Sequence, residues 1–389
     1  MSETNSQNRI TWIDGLKGLA CIGVFTHHFF LGFFTASYYG KDAESLLPGN
    51  FDQLLSYKPY GILVNGNFWV CMFIVLASFL PALQIMKAAD YSLGRKLGSM
   101  VLKRYPRLML PAFIVSFLNY AIVRGLYMVG LTSRLPAYGI EQLLIDGLFK
   151  TWIQMDITLQ GPFWTLHYLL FVPLFAAMLA TTDRKANRYM PFVFLIMFAF
   201  FIHTNSVYDY YLAGVIGVLL ADIVYHKRLQ RLQSKPVAIV ITLILMILGL
   251  WLGGFPSYGT PVESYEPLGF LLEYNNGGYA IYHLWGVCLI LLGCFIWNQI
   301  GMPDILSFKP FRWLGKNCYG IFLVHVLLID YLGIPMMDYF KNSTGNIVTA
   351  AILTYVILLI VILVVAEIFN RTIEKWTGQI IARIANERV

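Results

Sequence analysis

The sequence predicts an all-α, polytopic membrane protein with about ten transmembrane helices and both termini in the cytoplasm. Three observations carry that expectation. Hydrophobic residues make up 58% of the chain and charged residues only 13%, against roughly 25% charged in a soluble domain. Apolar stretches of about 20 residues, enough to cross a hydrocarbon core, recur along all 389 residues. The Lys and Arg residues are distributed unevenly between alternate connections, as the positive-inside rule requires.

The expected spans lie near 13–36, 61–83, 108–130, 163–181, 190–204, 210–225, 236–253, 278–298, 318–334 and 347–369. The first carries Asp14, Lys17, His27 and His28 and lacks a small-residue cleavage site, so it reads as a retained helix and not a signal peptide. Segments 37–60, 131–162 and 254–277 are rich in Gly, Pro, Tyr and acidic or amide residues and read as loops. With the N-terminus inside, most of the 28 Lys and Arg residues fall on the cytoplasmic side; the exceptions are Lys41, Lys58, Arg124, Arg134, Lys150 and Lys341. This leaves one integral membrane domain over 1–389, with cytoplasmic tails at about 1–12 and 370–389.

The net charge of +7 fits topology and anionic lipid, and no nucleic-acid surface is expected. Cys21, Cys71, Cys288, Cys294 and Cys318 sit in or beside apolar runs without zinc-ligand spacing, so they read as packing residues and no metal is expected. There is no internal repeat and no matched pair of broken spans of the kind transporters show.

Ionisable groups inside spans are costly unless paired or functional, which singles out four constellations. Residues seven apart on a helix differ by only about 20° in direction, so Asp14, Cys21 and His28 share a face from which His27 points away. Arg9, Asp14 and Lys17 then mark the cytoplasmic mouth and His28 lies about 21 Å deeper, too far for Asp14 to orient it; its orienting partner is expected from another helix. Imidazole suits a general base near neutral pH, while hydrogen bonding to neighbouring helices explains a buried histidine equally in kind. Second, Arg104 and Arg107, three apart before the third span, either face one phosphate together or serve topology. Third, Trp164, His167 and Tyr168 open the fourth span from the outer side; an aromatic belt accounts for Trp164 and Tyr168, as does an outward platform that stacks a sugar, but the belt leaves His167 unexplained. Fourth, Trp313 to His325 is a cytoplasmic turn entering the ninth span, with His325 as another intramembrane imidazole; Asp330 and Glu367 are acids that could pair with a histidine from another helix.

Taken in order, these residues resemble the acyltransferase-3 family, integral membrane acyltransferases that mostly O-acetylate cell-surface carbohydrates. The family's opening Arg, Asp-Gly-Leu-Arg/Lys-Gly and His is similar to Arg9, Asp14, Gly15, Leu16, Lys17, Gly18 and His28. Its Arg-x-x-Arg is similar to Arg104 and Arg107, its Trp-Thr/Ser-Leu to Trp164, Thr165 and Leu166, and its later motif to Leu314, Gly315, Cys318, Tyr319, Phe322, Leu323 and His325. Two positions depart: the family's Glu five residues after the Trp is Leu169, and its Ser-Gly at the end of the second span is Ser78-Phe79. The Leu169 side chain offers no acceptor, which leaves either a polar role for His167 or an altered site.

The resemblance implies a plasma-membrane enzyme that moves an acyl group, most often acetyl, from cytoplasmic acetyl-CoA or another acyl-CoA to a hydroxyl of a glycan or lipid-linked sugar. Arg9, Asp14, Lys17, Arg104 and Arg107 would then serve the donor and its phosphates, His28, His325 and His167 the chemistry, and Trp164 and Tyr168 the acceptor. His28 would deprotonate the hydroxyl or carry the acyl group itself. A proton- or solute-coupled transporter, or a non-catalytic relative that aids glycan export, are the rival readings.

Overall fold

The computed structural model describes residues 10–130, 133, 138–184, 190–202, 208–232, 234–257, 262–274 and 278–386. Its long helices are α1 (Thr11–Phe33), α2 (Gly66–Met86), α3 (Leu93–Met128), α4 (Trp164–Arg184), α5 (Met190–Ile202), α6 (Tyr208–Tyr225), α7 (Lys235–Gly253), α8 (Ala280–Gln299), α9 (Lys309–Lys316), α10 (Cys318–Leu328), α11 (Ile334–Thr344), α12 (Ile347–Phe369) and α13 (Lys375–Asn386). The protein is all-α and polytopic. Among the described residues, eight helical segments are long and apolar enough to cross a membrane, and the two remaining expected spans are the helices α5 and α6. Rows of large apolar side chains stay exposed four residues apart, as at Ile352, Val356, Ile360, Val364 and Ile368 on α12. In a bilayer such a row meets lipid, which is as apolar as the side chains themselves.

The chain divides into two compact units: residues up to Leu76 with Ala199–Asp209 and Ile223–Phe322, and Ala77–Phe198 with Tyr210–Asp222 and Leu323 onward. In the first, α1 crosses α9 and the turn before it at backbone distance. A Cβ on Gly15 would lie 2.1 Å from the Leu306 carbonyl oxygen, one on Gly18 2.5 Å from Leu314 Cβ, and one on Gly315 1.8 Å from the Asp14 carbonyl oxygen. Three glycines of the motifs that carry the resemblance, Gly15, Gly18 and Gly315, are therefore required by packing. Gly315→Val is expected to lower Tm by the equivalent of about 3 kcal/mol or to prevent folding. Gly94→Ala, where a Cβ meets nothing within 4 Å, should leave Tm unchanged or slightly raised; thermal unfolding of the detergent-purified chain distinguishes the two.

The same unit is closed by a buried polar knot. The end of α7 leaves carbonyls without intrahelical partners, and Asn65 Nδ2 donates to one of them, Gly253 O, and to Phe255 O just beyond the helix, each at 2.8 Å. Asn65 Oδ1 accepts from Phe68 N at 3.3 Å and from the Ser257 hydroxyl. His283, wholly buried on α8, lies with Nδ1 2.7 Å from Asn67 Nδ2 and with Nε2 2.8 Å from Asn65 Nδ2 and 3.0 Å from Phe255 O. Nearby, outside the spans, Lys58 donates to Ser264 O at 2.6 Å and lies over the Phe255 ring. Partial burial pulls its pKa below the usual lysine range, and Glu266 opposes that shift.

In the second unit, the stretch expected as a loop at 131–162 holds helix over Ile140–Ile145, a π-type turn over Asp146–Lys150 and a last turn over Thr151–Ile153. The apolar spacing of Ile140, Leu143, Leu144, Phe149 and Trp152 supports helix despite the Gly- and Thr-bearing composition. This segment descends along α3: the Tyr138 hydroxyl donates to Ser116 O at 3.4 Å, a Cβ on Gly147 would meet Phe113, and the Tyr105 hydroxyl donates to Leu148 O. The expected ninth span is longer than 318–334, continuing through a π-type turn at Ile329–Gly333 into α11. Beyond α12, a second such turn leads into α13, which packs against α3.

Candidate functional site

In the first unit, the Asp14–Cys21–His28 line flanks the face of α1 that docks on α9 and the start of α10. Cys21 Sγ donates to Cys318 O at 2.9 Å, and all five cysteines are free thiols. His28 is oriented from its own helix: Nδ1 lies 2.9 Å from Val24 O, one turn back. A carbonyl oxygen only accepts, so Nδ1 carries the proton that this bond uses.

His27 is arranged for a different task. Its Nδ1 donates to Val64 O at 2.8 Å, and a Cβ on Gly66 would lie 2.5 Å from its ring. The ring also packs edge-on against Tyr38, centroids 5.5 Å apart, and against His28 at 4.9 Å. His27 thus pins α1 to the entrance of α2. Asp14 and Lys17 are both half-buried at the opposite end of α1. Arg9, expected beside them, lies outside the described residues.

The second unit holds the arginine pair, which the structure separates by role. Pro173 inside α4 has no N–H to give the carbonyl four residues earlier, that of Leu169. Arg104 on α3 takes its place: Nε donates to Leu169 O at 2.8 Å and Nη2 to the same oxygen. Neighbouring helices commonly re-satisfy backbone groups freed by proline in this way. Arg107 is exposed and has no hydrogen bond or ion pair among the described residues. The departure at Leu169 is therefore half a departure, since the position still supplies the acceptor that Arg104 uses, from its main chain.

His167 has both nitrogens engaged. Nδ1 donates to Trp152 O at 2.8 Å, and Nε2 then accepts from the Tyr211 hydroxyl at 3.2 Å. These bonds tie α4 to the turn at Trp152 and to α6. Tyr168 is 2% exposed and packs on Tyr210, centroids 4.6 Å apart, and on Trp164 at 5.9 Å. Tyr168 is buried, and Trp164 beside it is half-buried. His325 is wholly buried on α10. Glu367 accepts from Arg371 Nε at 2.5 Å, in the π-type turn that follows α12.

Sequence reasoning missed His283 and its amides. The signal was present: Asn65, Asn67 and His283 are strong hydrogen-bonding side chains at the mouths of apolar runs, where each must find a partner.

A family model described as an acyltransferase domain matches residues 10–371. No curated protein and no solved structure matches the chain.

Proposed function

The chain belongs to the acyltransferase-3 family of membrane acyltransferases, and from that premise we propose that it O-acylates a glycan or lipid-linked sugar at the plasma membrane, using cytoplasmic acyl-CoA, most often acetyl-CoA. The observation that carries this reading is the family match over residues 10–371, and the Nδ1–H bond from His28 to Val24 O, which fixes the orientation of the ring on α1, supports His28 as the base. Nε2 takes the proton of the acceptor hydroxyl as the hydroxyl oxygen attacks the thioester carbonyl. The C–S bond then breaks, the proton passes to the departing sulfur, and the products are an ester and free CoA thiol.

The other residues support the reading in different ways. Arg107 keeps a free guanidinium for phosphate, while Arg104 and His167 fix α4 in place. The single-domain organisation over 1–389 and the cytoplasmic termini belong to the same proposal, supported by the extent of the family match and by the Lys and Arg distribution.

The test is mass spectrometry of envelope glycans from cells with and without the gene, after feeding with isotope-labelled acetate. Labelled ester is expected only with the gene, and its restoration by wild type but not by His28→Ala. Equal labelling in both strains would exclude a transferase role for this chain.

A further inference from the structure

Folding leaves three buried polar atoms of the second unit unused. Gln160 and Thr151 are 5% and 1% exposed, and among the described residues Gln160 Oε1, Gln160 Nε2 and Thr151 Oγ1 have no hydrogen-bond partner, which is costly in a folded interior. Local structure explains why they are spare. Gln160 stands at the capping position before the 3-10 turn Gly161–Phe163, but its side chain makes no capping bond, and Pro162 within that turn has no N–H to offer. A helical threonine can return its hydroxyl to the carbonyl four residues earlier, here Gly147 O, which Trp152 Nε1 already engages at 2.8 Å. Packing brings the two residues into one neighbourhood: Leu159, beside Gln160, lies 3.7 Å from where a Cβ on Gly147 would sit, one turn before Thr151. A Cβ on Gly161 would meet nothing within 4 Å, so the backbone next to Gln160 borders open space. Four residues after Gln160, the half-buried Trp164 opens α4, its ring centroid 5.2 Å from that of Tyr210.

We propose that Gln160 and Thr151 bind a sugar ring of the acceptor through its hydroxyls, with Trp164 against the C–H face of the ring. This site rests on the acceptor reading above and adds to it the groups that select the sugar. The chemistry of the spare atoms narrows the ligand. A carboxamide offers one acceptor oxygen and two N–H donors, and a threonine hydroxyl offers one donor and two lone pairs. An anion only accepts and leaves Gln160 Oε1 without a donor. A cation only donates and leaves Gln160 Nε2 without an acceptor, and a lipid chain serves neither end. Neighbouring hydroxyls of a sugar each donate and accept, so one pair of them satisfies both ends of Gln160 at once. A site built to hydrogen-bond a hydroxyl also rejects an analogue that lacks it, because its buried groups are then left unpaired.

The experiment is thermal unfolding of the full chain in phosphatidylcholine nanodiscs, titrated with the methyl glycosides of glucose, galactose, mannose and N-acetylglucosamine, and with N-acetylglycinamide as an amide that also donates and accepts. A ligand that binds only the folded state raises Tm as its concentration rises. At least one glycoside is expected to do so, and one of its monodeoxy analogues should bind at least tenfold more weakly. Gln160→Leu removes both amide ends at similar volume; it should hold or raise Tm without ligand and lose at least tenfold in glycoside affinity, and Thr151→Val should weaken the glycoside in the same sense. In the envelope-glycan labelling assay above, Gln160→Leu should lower labelled ester several-fold. A glycoside shift unchanged in Gln160→Leu overturns the site while leaving the acceptor reading intact. A Gln160→Leu variant with lowered Tm in the absence of ligand also overturns it and assigns the carboxamide to a bridging water that holds the loop. A Tm shift with the amide probe alone, or with no probe, overturns the sugar as ligand. Equal labelled ester in strains with and without the gene overturns the acceptor reading itself.

Discussion

His28→Asn is expected to lower acyl transfer by about 10²–10⁴-fold without lowering Tm. The Asn amide nitrogen takes roughly the position of imidazole Nδ1 and can keep the bond to Val24 O that His28 makes at 2.9 Å, so the helix and its neighbours are undisturbed. What is lost is the second ring nitrogen, Nε2, the proposed base. His28→Ala removes both, and its transfer should be no lower than that of the Asn variant. His27→Ala should behave in the opposite way. It strips Val64 O of its donor and opens space against Gly66, lowering stability by about 1–2 kcal/mol, while substantial transfer remains. Rates with a labelled acyl-CoA and Tm values on the same preparations separate the two histidines. An active His28→Asn variant, or an inactive but stable His27→Ala variant, would overturn the assignment of the base.

The separation of His27 from His28 was legible in the sequence because it follows from the 100° step of any helix. So were the spans, since about 20 apolar residues have few alternatives in water or in lipid. What could not be read was anything decided by backbone carbonyls. Val24 O, Val64 O, Trp152 O and Leu169 O are the acceptors that settle the tautomers of His28, His27 and His167 and the direction of Arg104, and every residue type carries the same carbonyl. The aromatic run at Trp164 and Tyr168 was ambiguous for a related reason. Belt, platform and core all use the same residues, and only the ring contacts with Tyr210 decide for core at Tyr168. The helix at 140–153 was hidden by a composition typical of loops, although its apolar spacing was helical throughout.

The proline in α4 gives the second large effect, and its sign depends on what else is changed. Arg104→Met is expected to destabilise the protein by about 1.5–3 kcal/mol, the usual range for losing a hydrogen bond from a charged donor. The loss is felt because Leu169 O then has no donor: its helical partner would be the N–H of residue 173, and that residue is proline. Pro173→Ala restores that N–H. In the wild-type background the gain should be small, because Arg104 already satisfies the carbonyl. In the Arg104→Met background the same change should recover at least half of the lost stability, a coupling of about 1 kcal/mol or more between positions on different helices. Donor-phosphate binding by Arg104 predicts no such coupling, since a phosphate contact has no reason to depend on a proline in α4. Thermal unfolding of wild type, both single variants and the double variant measures the cycle directly. Additive changes would return Arg104 to the phosphate role and remove the clamp that fixes α4, and with it Trp164 and His167, against α3.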